Sequence, residues 1–260
     1  MRPAIAQYFP GPSIVHQLDP RAKIVAVVAL SVALFVRTSY VSLLVLGVAC
    51  LAGLLASRVP PRWFGRSLRP VLWLIVFTFA VQLLFGGGKA LVSIGPLDLS
   101  RRGLEQAVLL SARLIVLVAA GSLLTLTTPP VALTDGLAWL GRPLSKVRVP
   151  TEELALMVTI ALRFIPTLLV ELDTIMRAQR ARGADFSRGG PVRRARALVP
   201  VLVPLFVSAF RRADELALAM EARCYAPGIR RSRLHPLEAG LGDAVLLVAV
   251  AVVIALALVL

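Results

Sequence analysis

The sequence predicts an all-α, polytopic membrane protein with about five transmembrane helices and a cytoplasmic arm of long, kinked helices. Three observations carry this. Of the 260 residues, 58% are hydrophobic and mean hydropathy is +0.82, above the roughly 45–50% apolar content of soluble domains. The apolar residues gather into five runs near the length of a bilayer core, about 17–25 helical residues. The basic residues gather as well, with seventeen of the 29 Lys and Arg between positions 128 and 242.

The first two runs, 22–36 and 41–57, are joined by Arg37-Thr38-Ser39-Tyr40, a link short enough to make an antiparallel helical hairpin. The third, 68–85, closes at Gly86-Gly87-Gly88, where a helix stops. The fourth and longest, 104–126, stops at Thr127-Thr128-Pro129-Pro130, and the fifth is 244–260. The chain thus divides into an N-terminal membrane region, 1–127, with four transmembrane helices, a cytoplasmic helical region, 128–242, and a C-terminal transmembrane helix, 243–260.

Lys and Arg number three by the start of the first run, four over 58–69 and seventeen over 128–242, against Arg37, Lys89, Arg101 and Arg102 on the other side. By the positive-inside rule the N-terminus and the long arm are cytoplasmic and the C-terminus is outside. The net charge of +15 therefore reports orientation in a bilayer rather than nucleic-acid binding. Two cysteines, Cys50 and Cys224, and two isolated histidines, His16 and His235, supply neither a disulfide framework nor a metal site. Residues 1–19 lack the pattern of a cleaved signal peptide, so insertion is expected to use the first apolar run.

Arg113 lies near the middle of the fourth run, where an isolated charge costs at least ~2.5–3.5 kcal/mol. It must face protein or water: either a neighbouring helix or backbone carbonyl, or a contact that holds a partner membrane subunit.

The arm is too long and too rich in Leu, Val and Ala to be a loop. One helix is expected after Pro150, with Thr151 as N-cap and Glu152 and Glu153 in its first turn. It kinks at Pro166 and runs through Arg177 and Arg180 to a stop at Gly183. A second helix begins near Val192, carries Pro200 and Pro204, and ends around Cys224 before Pro227-Gly228. Arg163 interrupts the apolar stretch of the first, and prolines weaken that of the second, so both are expected to lie at the membrane interface.

Shifting the sequence by forty-one positions superposes Asp173, Ala178, Ala181 and Arg182 on Asp214, Ala219, Ala222 and Arg223. Both helices therefore end in D-x4-A-x-x-A-R. Alanines three apart share a helix face and admit a close neighbour, and a terminal arginine complements the negative end of the helix dipole. Such ends are either docking ends, whose arginines fork onto a carboxylate, or solvated surface.

Reacting groups are scarce. Gly86-Gly87-Gly88-Lys89-Ala90 lacks the spacing and hydroxyl of a phosphate-binding loop, so ATP hydrolysis is not expected of this chain. A membrane transferase holding metal through Asp173 and Asp185 is the catalytic alternative, although two carboxylates make a poor Mg²⁺ site. Glu152, Glu153 and Glu171 suit helix solvation and dipole matching. The clusters Arg193-Arg194-x-Arg196 and Arg230-Arg231-x-Arg233 suit anionic headgroups better than nucleic acid. A substrate-translocating permease would need more polar groups in the spans than Gln82, Glu105, Gln106 and Arg113 provide.

Gln7-Tyr8-Phe9-Pro10-Gly11 and His16-Gln17-Leu18-Asp19-Pro20-Arg21-Ala22-Lys23 resemble the N-terminal signature of energy-coupling factor (ECF) transporter T components. So do Leu162-Arg163-Phe164-Ile165-Pro166, Ala178-Gln179-Arg180-Ala181-Arg182-Gly183-Ala184-Asp185, Pro204-Leu205 with Arg211-Arg212-Ala213-Asp214, and Ala219-Met220-Glu221-Ala222-Arg223. The resemblance implies a non-catalytic membrane scaffold that joins a substrate-binding S component to two cytoplasmic ABC ATPases in vitamin or transition-metal uptake. It implies no cofactor on this chain, with ATP and Mg on the ATPases, and a place in the cytoplasmic membrane. Two crossed coupling helices of the family end in Ala-Arg-Gly motifs that dock on the ATPases. Here these are Ala181-Arg182-Gly183 and Ala222-Arg223-Cys224, with Pro166, Pro200 and Pro204 as candidate bends. Cys224 departs from the glycine of that pattern and gives up ready access to a left-handed helix cap.

Overall fold

The structure, a computed structural model, describes residues 8–37, 39–85, 90–94, 97–143, 150–186, 190–226 and 240–259. Gln7, the 86–88 glycine run, Pro227-Gly228, the 230–233 arginine cluster and His235 lie outside the described residues. The fold is helical, and it divides into two compact units.

The first unit opens with the short turn α1 (Ile14–Gln17) and α2 (Pro20–Val36). Asp19 caps α2 by accepting from the Arg21 N–H, and Pro20 fills the first helical position, where its missing N–H costs nothing. Next come α3 (Tyr40–Ala56), α4 (Pro61–Phe85), α5 (Arg101–Thr127) and α6 (Pro130–Leu140). The last helix, α9 (Leu241–Val259), returns to the first ones. Its Ala257 packs with Leu30, Ala33 and Leu34 of α2, Leu46 and Cys50 of α3, and Ala120 of α5. Leu34 and Leu46 are each only 1% exposed.

Small residues let the backbones approach where lipid offers no hydrophobic drive for helix association. A Cβ on Gly53 of α3 would lie 3.1 Å from Leu123 of α5, and one on Gly103 of α5 would lie 3.0 Å from the Gln82 carbonyl of α4. α4 runs beside α5 and buries only Phe64 and Ile75. Its outer side is apolar and exposed, with Trp73 77% exposed, as expected of a lipid-facing helix.

Between α4 and α5 the chain forms an antiparallel pair, β1 (Ala90–Ile94) and β2 (Leu97–Ser100), that sequence periodicity had not led us to expect. The sequence signal is slight: Val92 and Ile94 favour a strand, but Leu97-Asp98-Leu99-Ser100 contains no β-branched or aromatic residue. Ser100 ends the pair and caps α5, its hydroxyl accepting from the Gly103 N–H at 2.8 Å.

The second unit is built on α7 (Thr151–Ala181) and α8 (Pro191–Ala222), which pack on each other. The expected N-cap is corrected by one position. Pro150 occupies it, and Thr151 is already helical. By length and composition α7 also qualifies as a candidate span beside α4, α5 and α9, and α3 is a shorter apolar helix. Its interruption by Arg163, on which the interfacial expectation rested, does not bring it below that threshold.

Candidate functional site

The two long helices end in the same geometry. In α7, Ala181 is the last helical residue, Arg182 is the C-cap, and Gly183 turns left-handed at φ 88°. The Gly183 N–H donates to the Arg180 carbonyl at 3.0 Å and the Ala184 N–H to the Gln179 carbonyl at 3.0 Å. In α8, Ala222 is last, Arg223 is the C-cap, and Cys224 turns left-handed at φ 56°. The Cys224 N–H donates to Glu221 at 2.8 Å and the Tyr225 N–H to Met220 at 3.0 Å. Both are Schellman closures, which satisfy helix-end carbonyls that would otherwise be orphaned. Every participating residue of the first has its counterpart forty-one positions later.

Cys224 therefore corrects the expectation attached to its departure from glycine: it adopts the left-handed cap regardless. That conformation costs an L-residue about 1–2 kcal/mol, and the two backbone hydrogen bonds offset it. Cys224→Gly is accordingly expected to stabilise this helix end by about 1 kcal/mol. Slower amide exchange over 222–225 would bear this out, and unchanged exchange would contradict it.

Several small residues at each cap are exposed. Ala178, Ala181, Arg182 and Gly183 lie at the surface, as do Ala219, Ala222, Arg223 and Cys224. Among the described residues neither Arg182 nor Arg223 has a side-chain partner. Each end thus offers exposed alanines and a cationic fork. The repeat is not carried through upstream: Asp173 pairs with Arg177 one turn on, whereas Asp214 has Leu218 at the equivalent place.

Among the described residues, two side-chain hydrogen bonds join α7 to α8. Arg212 Nη2 donates to Glu171 Oε2 at 3.2 Å, in a half-buried ion pair. Gln179 Nε2 donates to the Pro200 carbonyl at 3.4 Å. That carbonyl is available because Pro204, four residues on, has no N–H to offer it. The contacts run antiparallel, since the earlier residue of α7 meets the later residue of α8. The two arginine ends consequently point to opposite ends of the pair, roughly 33–39 Å apart along the helix axes at 1.5 Å per residue. Pro166, Pro200 and Pro204 all lie inside continuous helix.

Arg113 is half-buried and donates to the Arg37 backbone carbonyl at 2.8 Å. Arg37 in turn reaches the Leu258 carbonyl near the end of α9. Two arginines thus serve the C-terminal carbonyls of α2 and α9, where the helix dipole is negative. This is the backbone-carbonyl reading of Arg113 in geometric form.

The transferase alternative finds no support. The Asp173 carboxylate is taken up by Arg177 within its own helix, and among the described residues no group of three or more His, Cys, Asp or Glu side chains converges.

The family model described as cobalt transport protein, CbiQ, matches residues 11–235, which includes both capped helix ends. The chain belongs to the CbiQ/EcfT family. Relatives named energy-coupling factor transporter transmembrane protein EcfT agree over nearly the whole length. The protein of Thermosediminibacter oceani is 50% identical over 234 residues, 90% of this chain and 88% of the relative. That of Thermanaerovibrio acidaminovorans is 51% identical over 239 residues, 92% and 89%. That of Acidaminococcus fermentans is 47% identical over 240 residues, 92% and 90%. As a CbiQ/EcfT protein the chain is a multi-pass transporter membrane subunit, of a family named for systems with more than one component.

Proposed function

We propose that this protein is the coupling subunit of an ECF-type ABC importer. In this reading Ala181, Arg182 and Gly183 dock one ABC ATPase, and Ala222, Arg223 and Cys224 dock a second. The observation that carries it is the duplicated Schellman end with an exposed arginine at each cap. Two equivalent ends directed oppositely along a crossed helix pair suit two equivalent partners approached by ATP. Closure of the ATPases moves the helix ends, and rods of about 45 Å carry the movement towards the membrane helices. Pro166, Pro200 and Pro204 are the proposed bends.

The proposed division of labour is a membrane region, 1–127, a coupling region, 128–242, and the closing helix, 243–260. The positive-inside distribution supports a cytoplasmic arm and N-terminus in the cytoplasmic membrane, with the C-terminus outside. The small membrane-embedded S component selects the vitamin or transition-metal substrate, and ATP and Mg sit on the ATPases. The exposed apolar flanks of the helices suit lipid and the S component.

Co-purification of the tagged chain from its native membrane in mild detergent tests the reading. Two ABC ATPase subunits and one small membrane protein per chain are expected in the retained fraction. A chain that purifies without any ATPase would overturn it.

A further inference from the structure

The second unit, residues 141–234, is continuous in sequence with the first at two points. The chain leaves after α6 and returns at α9. The described segments that flank them, α6 and residues 240–243, both contact one short stretch, Leu18–Ile24. On the outgoing side, a Cβ on Gly136 of α6 would lie 3.0 Å from Ile24 Cδ1 and 3.4 Å from Pro20 Cβ, and the Arg21 guanidinium lies 4.5 Å over the Trp139 ring. On the returning side, Asp243 Oδ1 accepts from the Asp19 N–H at 2.7 Å and Oδ2 from the Gly240 N–H at 2.8 Å. A Cβ on Gly242 would lie 3.2 Å from Leu18 Cδ2. Lys23 adds the root of α6, its ammonium donating to the Thr127 carbonyl and Thr128 Oγ1 at 3.4 Å and to the His16 carbonyl at 3.3 Å.

Asp19, Lys23 and Asp243 are 8%, 5% and 7% exposed. Burying three charges is an expensive way to hold helices together, and well-packed apolar residues commonly do it as well or better. What such groups add is resistance to sliding. A shift of an ångström or so breaks their hydrogen bonds and leaves a charge buried and unpaired, so the joint has one allowed register.

We infer that Asp19, Lys23 and Asp243 form the clamp through which both ends of the arm move α2, and that they are positioning residues for coupling. This rests on the coupling function proposed above. In the complete complex in liposomes, ATP hydrolysis and substrate uptake are measured in the same vesicles for Asp243→Ala, Asp243→Asn and Gly136→Leu. Asp243→Ala removes the acceptors, Asp243→Asn keeps one, and Gly136→Leu pushes α6 off α2 without touching the charges. The expected result is continued hydrolysis by Asp243→Ala and Gly136→Leu, with uptake per ATP down at least ~10-fold, and substantial recovery in Asp243→Asn. Uptake and hydrolysis falling together with the amount of complex recovered, or an unchanged ratio, would overturn the clamp.

A second measurement does not depend on those variants folding. A Leu18→Cys/Gly242→Cys pair, joined by a disulfide or short thiol cross-linker, should transport as well after joining as before, because these residues do not part during the cycle. Loss of uptake on joining, restored by reductant, would also overturn the clamp. If the wild-type complex itself does not link hydrolysis to uptake, the coupling function fails; if it does and the variants keep its ratio, only the clamp fails.

Discussion

Reversing both terminal arginines, Arg182→Glu with Arg223→Glu, is expected to release both ATPases and abolish ATP-driven uptake while leaving membrane insertion intact. Each guanidinium is exposed and has no side-chain partner among the described residues, which leaves its hydrogen bonds for a partner protein. Removing one member of a buried, hydrogen-bonded charge pair costs roughly 2–5 kcal/mol, or about 30- to several-thousand-fold in affinity. Reversal adds repulsion to that loss. It also places an anion at a helix C-terminus, which costs a further ~0.3–1 kcal/mol. Single variants should each retain one ATPase and lose less than the pair. Titration of purified ATPase onto the detergent-solubilised chain measures this directly. Normal binding and uptake by the double variant would remove both arginines from the interface.

Arg113→Glu should be the most damaging single change in the membrane unit that leaves its apolar packing alone. Arg113 reaches the Arg37 carbonyl at 2.8 Å from the middle of α5, and its replacement by an acid sets a carboxylate against a carbonyl oxygen. Loss of a charged hydrogen bond is worth about 1.5–3 kcal/mol, and the melting temperature of the isolated chain should fall by roughly 5–10 °C. Arg113→Lys should recover part of it, since an ammonium can donate to the same carbonyl. If the isolated chain melts normally and only the assembled complex is weakened, Arg113 serves a partner rather than α2.

Much of this architecture was legible in the sequence because lipid imposes a length and a composition on each span. The run 104–126 became Arg101–Thr127 and 41–57 became Tyr40–Ala56, differences of the size that polar caps add. The duplicated helix ends were legible because identity at a fixed offset does not depend on fold. Their three-dimensional equivalence was not, since the tolerance of Cys224 for a left-handed cap is set by the hydrogen bonds of the closure. Nor was the meaning of Asp19 and Lys23 visible. Their motif resembles a family signature, but the acceptor of the Asp19 N–H is Asp243, 224 residues away. No local pattern encodes that pairing.

Reconstitution by omission tests the coupling role most directly. Liposomes containing this chain, two ABC ATPases and the S component should accumulate substrate on addition of ATP, and leaving out this chain alone should reduce accumulation to background while the S component still binds substrate. Accumulation that persists without this chain, or that proceeds with this chain and no ATPase, would contradict it.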